Sequence, residues 1–85
     1  RILAIELASE NITVNALAPG PFASRMTSYI TDDEDSYNAM VEEVPLGRFG
    51  SGEDIGGTLL WLTSRAGAYV TGAVIPVDGG MTARP

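Results

Sequence analysis

The chain has 85 residues, of which 45% are hydrophobic and 19% charged. That composition is typical of one small globular domain or part of a larger one, and no apolar run approaches the roughly 20 residues of a membrane span. Eleven acidic against five basic residues give a net charge of −6, which disfavours nucleic acid as a partner because phosphates repel an acidic surface. Lysine, histidine and cysteine are absent, so we expect no catalytic residue of the usual kinds and no metal site in this chain.

The first predicted elements are a helix and a buried strand. Apolar residues recur at a spacing of three and four over residues 1–10, which indicates a helix, and Asn11 suits the left-handed position after it. Residues 12–18 are mostly apolar and begin with β-branched side chains, which predicts a strand buried on both faces, as in a parallel sheet. Residues 19–21, Pro-Gly-Pro, end this strand because proline cannot donate to a ladder.

Two helices are predicted in the acidic middle of the chain. Ser24 is expected to cap a short helix that runs through Ile30. Thr31 and Glu34 fit a capping box, which predicts a second helix ending at Val44. We interpret the cluster of acidic residues here as a solvated helix start, because acids are favoured near the positive end of the helix dipole.

The last predicted elements are a helix and a strand. The S-x-x-D spacing of Ser51 and Asp54 predicts a helix over residues 52–64. Residues 70–77 form the second predicted strand, and Pro76 favours an edge position for it. Strands that alternate with helices indicate a parallel sheet, and two parallel strands need more cover than this chain provides. We therefore predict an α/β fold that is the C-terminal part of a doubly wound domain.

Two charged residues are assigned structural roles. Arg48 is expected to pair with an acid, either Glu53 or Asp54, although an anionic substrate is the alternative partner. Asp78 is expected to accept backbone N–H groups in the turn that ends the second strand. Neither residue is expected to bind a metal.

Five motifs follow one another along the chain. They are NITVNALAPG at 11–20, PLGRFG at 45–50, EDI at 53–55, YVTG at 69–72 and VDGG at 77–80. In this order and spacing they resemble the C-terminal third of short-chain dehydrogenases/reductases. The subgroup of 3-oxoacyl-carrier-protein reductases, sugar-alcohol dehydrogenases and rhamnolipid-type ketoreductases is the most similar, and PGPFASRMT at 19–27 resembles the last of these.

The resemblance implies the organisation and the chemistry of the domain. Residues 1–85 would be the C-terminal part of a single NAD(P)-binding Rossmann-type domain, with the substrate lid and its following loop at residues 25–50. The cofactor would be NAD or NADP, and hydride would pass between nicotinamide and a small-molecule carbonyl or alcohol. The family's catalytic residues lie upstream of the part matched here, so the resemblance places none of them in this chain.

The loop after the first strand is predicted to face the cofactor, because ligands of open α/β sheets bind beyond the carboxyl ends of the strands. The resemblance implies that Pro19, Gly20 and Phe22 lie beside the nicotinamide. It implies that Ser24, in place of the family's threonine, bonds the carboxamide or the pyrophosphate. A glycine also lets the backbone approach a flat ring closely. In the alternative interpretation, Pro19 and Gly20 only end a strand and Ser24 only caps a helix.

Four lid residues are candidates for lining an apolar substrate pocket: Met26, Tyr29, Tyr37 and Met40. Their side chains are large and apolar or amphipathic, and methionine adapts to irregular ligands. Ordinary helix packing is the alternative interpretation of the same residues.

The predicted protein is an oxidoreductase that forms a homo-oligomer, a dimer or a homotetramer. An edge strand needs protection, and Trp61 with its leucine neighbours gives residues 52–64 more apolar surface than one sheet face requires. With no signal peptide and no membrane span in the sequence, we expect a cytoplasmic protein. The competing hypothesis is a non-catalytic family member that acts as a binding or scaffold subunit. A glycine-rich loop and a Y-x-x-x-K motif upstream would favour the enzyme.

Overall fold

The computed structural model describes residues 1–24 and 26–83. In chain order its helices and strands are α1 (Ile2–Ala8), β1 (Ala16–Pro19), α2 (Ser28–Thr31), α3 (Glu34–Glu43), α4 (Gly52–Thr63) and β2 (Val74–Val77). Short 3-10 helices, Arg65–Gly67 and Met81–Ala83, follow α4 and β2. The alternation of helices and strands confirms the predicted α/β class. No helix in the described ranges has the length and apolar content needed to cross a membrane.

The two strands pair in parallel, as predicted. Ala16 lies opposite Val74, and Pro19 lies opposite Val77 at the other end of the ladder. The connection between the strands carries α2, α3 and α4, so both carboxyl ends lie at the same edge of the sheet. That edge is where the sequence places the binding crevice.

Both strands are shorter than predicted because the side chain of Asn15, just before β1, makes the hydrogen bonds that backbone groups would make in a longer ladder. The Asn15 side chain donates from Nδ2 to the carbonyl of Val70 at 3.0 Å and accepts at Oδ1 from the N–H of Ala73 at 3.1 Å. Regular pairing therefore begins only at Ala16, and the prediction of a strand over 12–18 was wrong for its first half.

The first and fourth helices follow the sequence signals closely. α1 ends two residues before the predicted limit of 1–10, and Asn11 adopts a φ of 59°, the left-handed conformation expected there. The bounds of α4 differ by one residue from the predicted 52–64. The carboxylate of Asp54 accepts the N–H of Ser51 at 2.7 Å, which confirms the capping pattern.

The two short helices begin later than predicted. Thr27, not Ser24, precedes α2, so the expectation that Ser24 caps this helix was wrong. Thr31 is the last residue of α2, and the cap of α3 is Asp33, whose carboxylate accepts the N–H of Ser36 at 3.0 Å. The Asp33 carboxylate also accepts the hydroxyl of Ser36 at 2.6 Å, so it holds both polar groups of that residue at the start of α3.

The described residues bury only a small apolar core. Ala4, Val44 and Phe49 are its hydrophobic members. The ring of Phe49 stacks on Tyr37, with ring centroids 5.3 Å apart and planes inclined by 8°. This contact fastens α3 to the loop that follows it.

Candidate functional site

A cleft of about 510 Å³ opens at the carboxyl ends of the two strands. Its lining comes from the segment after β1, from the exit of α3 through the start of α4, and from the end of β2. These residues are Pro21, Phe22, Pro45, Leu46, Arg48, Gly50, Asp54, Pro76, Val77, Asp78, Gly79 and Gly80. The walls are mainly apolar, with one guanidinium and two carboxylates at the polar positions. The cleft therefore lies where the strand topology predicts a ligand.

The first wall of this region is the loop of residues 19–24, which we call the PG loop. Its backbone is tied to β2, because the N–H of Gly20 donates to the carbonyl of Val77 at 3.0 Å. A Cβ on Gly20 would lie 2.7 Å from Cβ and 2.8 Å from Cα of Asp78. Glycine is required here by the neighbouring strand end, a reason independent of any bound ring.

A second tie joins the PG loop to Gly50, two residues before α4 begins. Gly50 donates its N–H to the carbonyl of Pro21 at 2.9 Å and accepts the N–H of Ala23 at 3.2 Å, which makes an isolated parallel bridge. The ring of Phe22 lies against the backbone of Gly50, where a Cβ would be 2.6 Å from the ring Cζ. The position of Phe22 is thus set by a residue 28 positions later, a contact that no local pattern signals.

A third tie comes from Thr27. Its hydroxyl donates to the carbonyl of Phe22 at 2.6 Å and accepts the N–H of Ser24 at 2.9 Å. The Ser24 hydroxyl is exposed and lies 3.3 Å from the Thr27 hydroxyl. Sequence reasoning missed Thr27, although a hydroxyl residue three positions after Ser24 and directly before a helix is a recognisable signal.

Arg48 and Asp54 form a bidentate ion pair on the rim of the cleft. The two N–O distances are 2.9 and 3.2 Å, and Arg48 also donates to the carbonyl of Phe49 at 3.0 Å. The Arg48 guanidinium, aided by the N–H of Ser51, holds the pKa of the Asp54 carboxyl well below its usual range. Because the two side chains are 54% and 30% exposed, solvent screens the pair and its role is chiefly geometric. The structure thus chooses Asp54 over Glu53 as the partner of Arg48.

Asp78 organises the turn after β2, as predicted. Its carboxylate accepts the N–H of Gly80 at 3.0 Å, the N–H of Thr82 at 3.1 Å and the hydroxyl of Thr82 at 2.6 Å. The Thr82 hydroxyl is the main cause that lowers the pKa of this carboxyl, followed by the N–H of Gly80. Within the described ranges, no group of three or more acidic residues converges as a metal site would require.

The candidate substrate residues of the lid do not meet in the cleft. Met26 and Tyr29 are 87% and 74% exposed, and Met40 is half-buried. Tyr37 packs on Phe49, as described above. Of the four residues predicted to contact the cofactor, Phe22 lines the cleft, whereas Pro19, Gly20 and Ser24 lie in the adjoining PG loop.

Comparison with known proteins gives concordant matches over nearly the whole chain. A family model described as Enoyl-(Acyl carrier protein) reductase matches residues 1–82. The rhamnolipids biosynthesis 3-oxoacyl-(acyl-carrier-protein) reductase of Pseudomonas aeruginosa is 48% identical over 80 residues, covering 94% of this chain and 31% of that protein. The 2-dehydro-3-deoxy-D-gluconate 5-dehydrogenase of Bacillus subtilis is 44% identical over 79 residues, covering 93% of this chain and 31% of that protein.

The solved structures agree with these matches. A Pseudomonas aeruginosa RhlG/NADP active-site complex superposes with a TM-score of 0.87 at 46% identity, covering 94% of this chain and 32% of that one. The chain therefore spans about a third of the length of the curated relatives and of the solved structure that it matches.

Proposed function

Because the chain belongs to the short-chain dehydrogenase/reductase family, we propose that it is part of an oxidoreductase that transfers a hydride between nicotinamide and a carbonyl or alcohol. Membership of the family also confirms the prediction of a doubly wound, Rossmann-type parallel sheet, of which this chain is a fragment. In the proposed enzyme this chain supplies the wall beside the nicotinamide, the substrate lid and a subunit contact. The cofactor is NAD or NADP, and one similar solved structure carries NADP.

The observation that carries this proposal is the PG loop at the carboxyl edge of the sheet, which hydrogen bonds tie at three points. Gly20 bonds it to β2, Gly50 bonds it to the segment before α4, and the Thr27 hydroxyl bonds the carbonyl of Phe22. A loop fixed at three points offers a preformed surface, so binding costs little ordering entropy. Pro19 and Ser24 remain exposed on that surface.

The fit to a nicotinamide cofactor rests on which polar groups of this loop are available to bond a ligand. The carbonyl of Phe22 already accepts a hydrogen bond from Thr27, whereas among residues 1–24 and 26–83 the Ser24 hydroxyl makes only the 3.3 Å contact with Thr27. A free hydroxyl next to backbone is suited to bond an amide or a phosphate oxygen. We assign Ser24 to the carboxamide or the pyrophosphate, and Pro19, Gly20 and Phe22 to the adjoining wall. When bound, the cofactor supplies the hydride, and these residues orient it.

The substrate lid and its following loop are assigned to residues 25–50, with a small carbonyl or alcohol compound as substrate. Met26 and Tyr29 project large side chains into solvent at the start of the lid. We propose that they contact the substrate together with Tyr37 and Met40, which are half-buried on α3. Apolar side chains of this kind bury most of a small ligand's surface, while a few polar groups fix its orientation.

The proposed assembly is a homo-oligomer, a dimer or a homotetramer, of a cytoplasmic protein. Leu60 and Trp61 are 71% and 41% exposed on α4, and Val74 is exposed on β2. An exposed apolar surface of this kind marks a contact with another surface. We propose that part of it meets a second copy of the protein.

The test is cofactor binding by the full-length protein that contains this chain. We expect reduced nicotinamide cofactor, NADH or NADPH in separate titrations, to change its fluorescence on binding. Ser24→Ala should weaken binding by about 0.5–1.5 kcal/mol, the value of one hydrogen bond. Ser64→Ala is the control, because that hydroxyl bonds the carbonyl of Trp61 outside the cleft.

Failure of both cofactors to bind would contradict the proposal. Binding without turnover of any 3-oxoacyl thioester or keto sugar acid would instead support the non-catalytic binding subunit. Unchanged cofactor affinity in Ser24→Ala would remove Ser24 from the site.

A further inference from the structure

The turn of residues 78–82 after β2, which we call the Asp78 turn, is held by one carboxylate. Asp78 accepts three hydrogen bonds, from the N–H of Gly80 and from both the N–H and the hydroxyl of Thr82. Gly79 and Gly80 adopt φ values of 65° and 95°, the left-handed region that favours glycine. The carboxylate therefore bonds across this turn, beside the backbone bond from the N–H of Met81 to the carbonyl of Asp78.

One face of this turn contacts residues 44–46, which follow α3 and which we call the lid exit. The carbonyl of Gly79 accepts the N–H of Leu46 at 3.0 Å. A Cβ on Gly79 would be 2.5 Å from Cγ1 of the buried Val44, and a Cβ on Gly80 would be 3.2 Å from Cβ and Cγ of Pro45. The end of α3 thus lies directly on the glycine backbone, with no room for a side chain between them.

The other face of the same residue supports the PG loop. Gly20 lies on Asp78 so closely that an added Cβ would be 2.8 Å from the Asp78 Cα. The N–H of Gly20 bonds the carbonyl of Val77, the residue immediately before the turn. One residue therefore contacts the loop assigned to the cofactor and orients the turn that seats the lid.

We propose that Asp78 is a positioning residue that sets the lid exit relative to the PG loop, so that cofactor affinity and substrate binding depend on the same carboxylate. This inference rests on the proposed function and assigns Asp78 no contact with the reacting atoms. A role in stability alone would lower the unfolding temperature without weakening either ligand. A positioning role weakens both ligands together.

The test compares two carboxylates that make matched hydrogen bonds. Asp78 accepts the N–H and hydroxyl of Thr82 at 3.1 and 2.6 Å, and Asp33 accepts the N–H and hydroxyl of Ser36 at 3.0 and 2.6 Å. In the full-length protein, Asp78→Asn should raise the Kd for the cofactor that binds and the substrate KM about fivefold each, a typical effect of one lost hydrogen bond. Asp33→Asn should leave the cofactor Kd within about twofold. Thr82→Val, a milder change, should move both constants in the same direction as Asp78→Asn.

Amide hydrogen exchange gives a readout that does not need cofactor binding. In Asp78→Asn the amides of Gly20 and Leu46 should both exchange faster, and in Asp33→Asn neither should change. If the wild-type protein binds no cofactor, the proposed function fails, and faster exchange at both amides would then support only the structural link from Asp78 to the lid exit and the PG loop. Unchanged exchange at either amide, or an unchanged Kd and KM in folded Asp78→Asn, would overturn it.

Discussion

Alanine at Gly50 would place a methyl group against the ring of Phe22 and so tests the tie between the PG loop and the start of α4. The methyl carbon would lie 2.6 Å from the ring Cζ. Carbon atoms pack best at about 3.5–4.0 Å, so the ring has to retreat by roughly 1 Å. Gly50 does not have a positive φ, so the backbone itself accepts alanine without strain.

The cost follows from how the ring can move. Overpacking a tight contact costs about 1–3 kcal/mol, and we expect the lower end because the half-buried Phe22 ring can shift toward the open cleft. In the Phe22→Ala background the obstacle is gone, and Gly50→Ala should be neutral or stabilising by up to about 1 kcal/mol. The coupling free energy between the two sites should therefore be about 1 kcal/mol or more.

Urea unfolding of the full-length protein measures each corner of this double-mutant cycle. Gly52→Ala is the matched control, because that glycine begins α4 and an added Cβ meets nothing within 4 Å. It should stabilise the protein or leave it unchanged. An equal cost for Gly50→Ala with and without the Phe22 ring would refute the steric argument.

Three further changes test other parts of the structure. Thr27→Val removes both bonds that close the PG loop, so it should weaken cofactor binding more than Ser24→Ala, by about 1–3 kcal/mol in the same fluorescence titration. Pairing with Arg48 lowers the pKa of Asp54 in the folded protein. The ion pair therefore stabilises the fold fully above the ordinary aspartate pKa of about 3.9, and this stabilisation is lost as the pH falls through the lower pKa of the folded state. Asp54→Asn should flatten the fall of the urea unfolding midpoint between about pH 5 and pH 2. Trp61→Glu should shift the sedimentation profile toward smaller species if α4 meets a second copy of the protein. An unchanged profile would place Trp61 outside any contact between copies.

The parts of the fold that the sequence predicts well are those set by short-range chemistry. The spacing of Ser51 and Asp54 identifies the start of α4, and Asn11 identifies the turn after α1. The order of helices and strands, together with their apolar pattern, predicts the parallel pair. At α4 and Asn11 the residues that decide the structure lie within a few positions of the feature that they form, whereas the parallel pair follows from the order of the elements along the chain.

One error arises where a distant residue decides the outcome, and another has a local cause. Asn15 looks like one position of a strand, but its side chain bonds Val70 and Ala73 more than 50 residues away, and the ladder starts later. The error at Ser24 is local: the Thr27 hydroxyl accepts the N–H of Ser24, and the helix begins after Thr27. The contact of Phe22 with Gly50 has no local signature at all, so this part of the site required the fold.

The exposed side chains at the start of the lid also matter for redesigning the protein. Met26 and Tyr29 make up much of the exposed apolar surface there, whereas the attachment of the lid depends on Val44 and on the stacking of Tyr37 with Phe49. Under the proposed function, a library that randomises positions 26 and 29 explores new substrate shapes with little loss of folded protein. Variation at the buried and stacked positions would discard most of its members before selection begins.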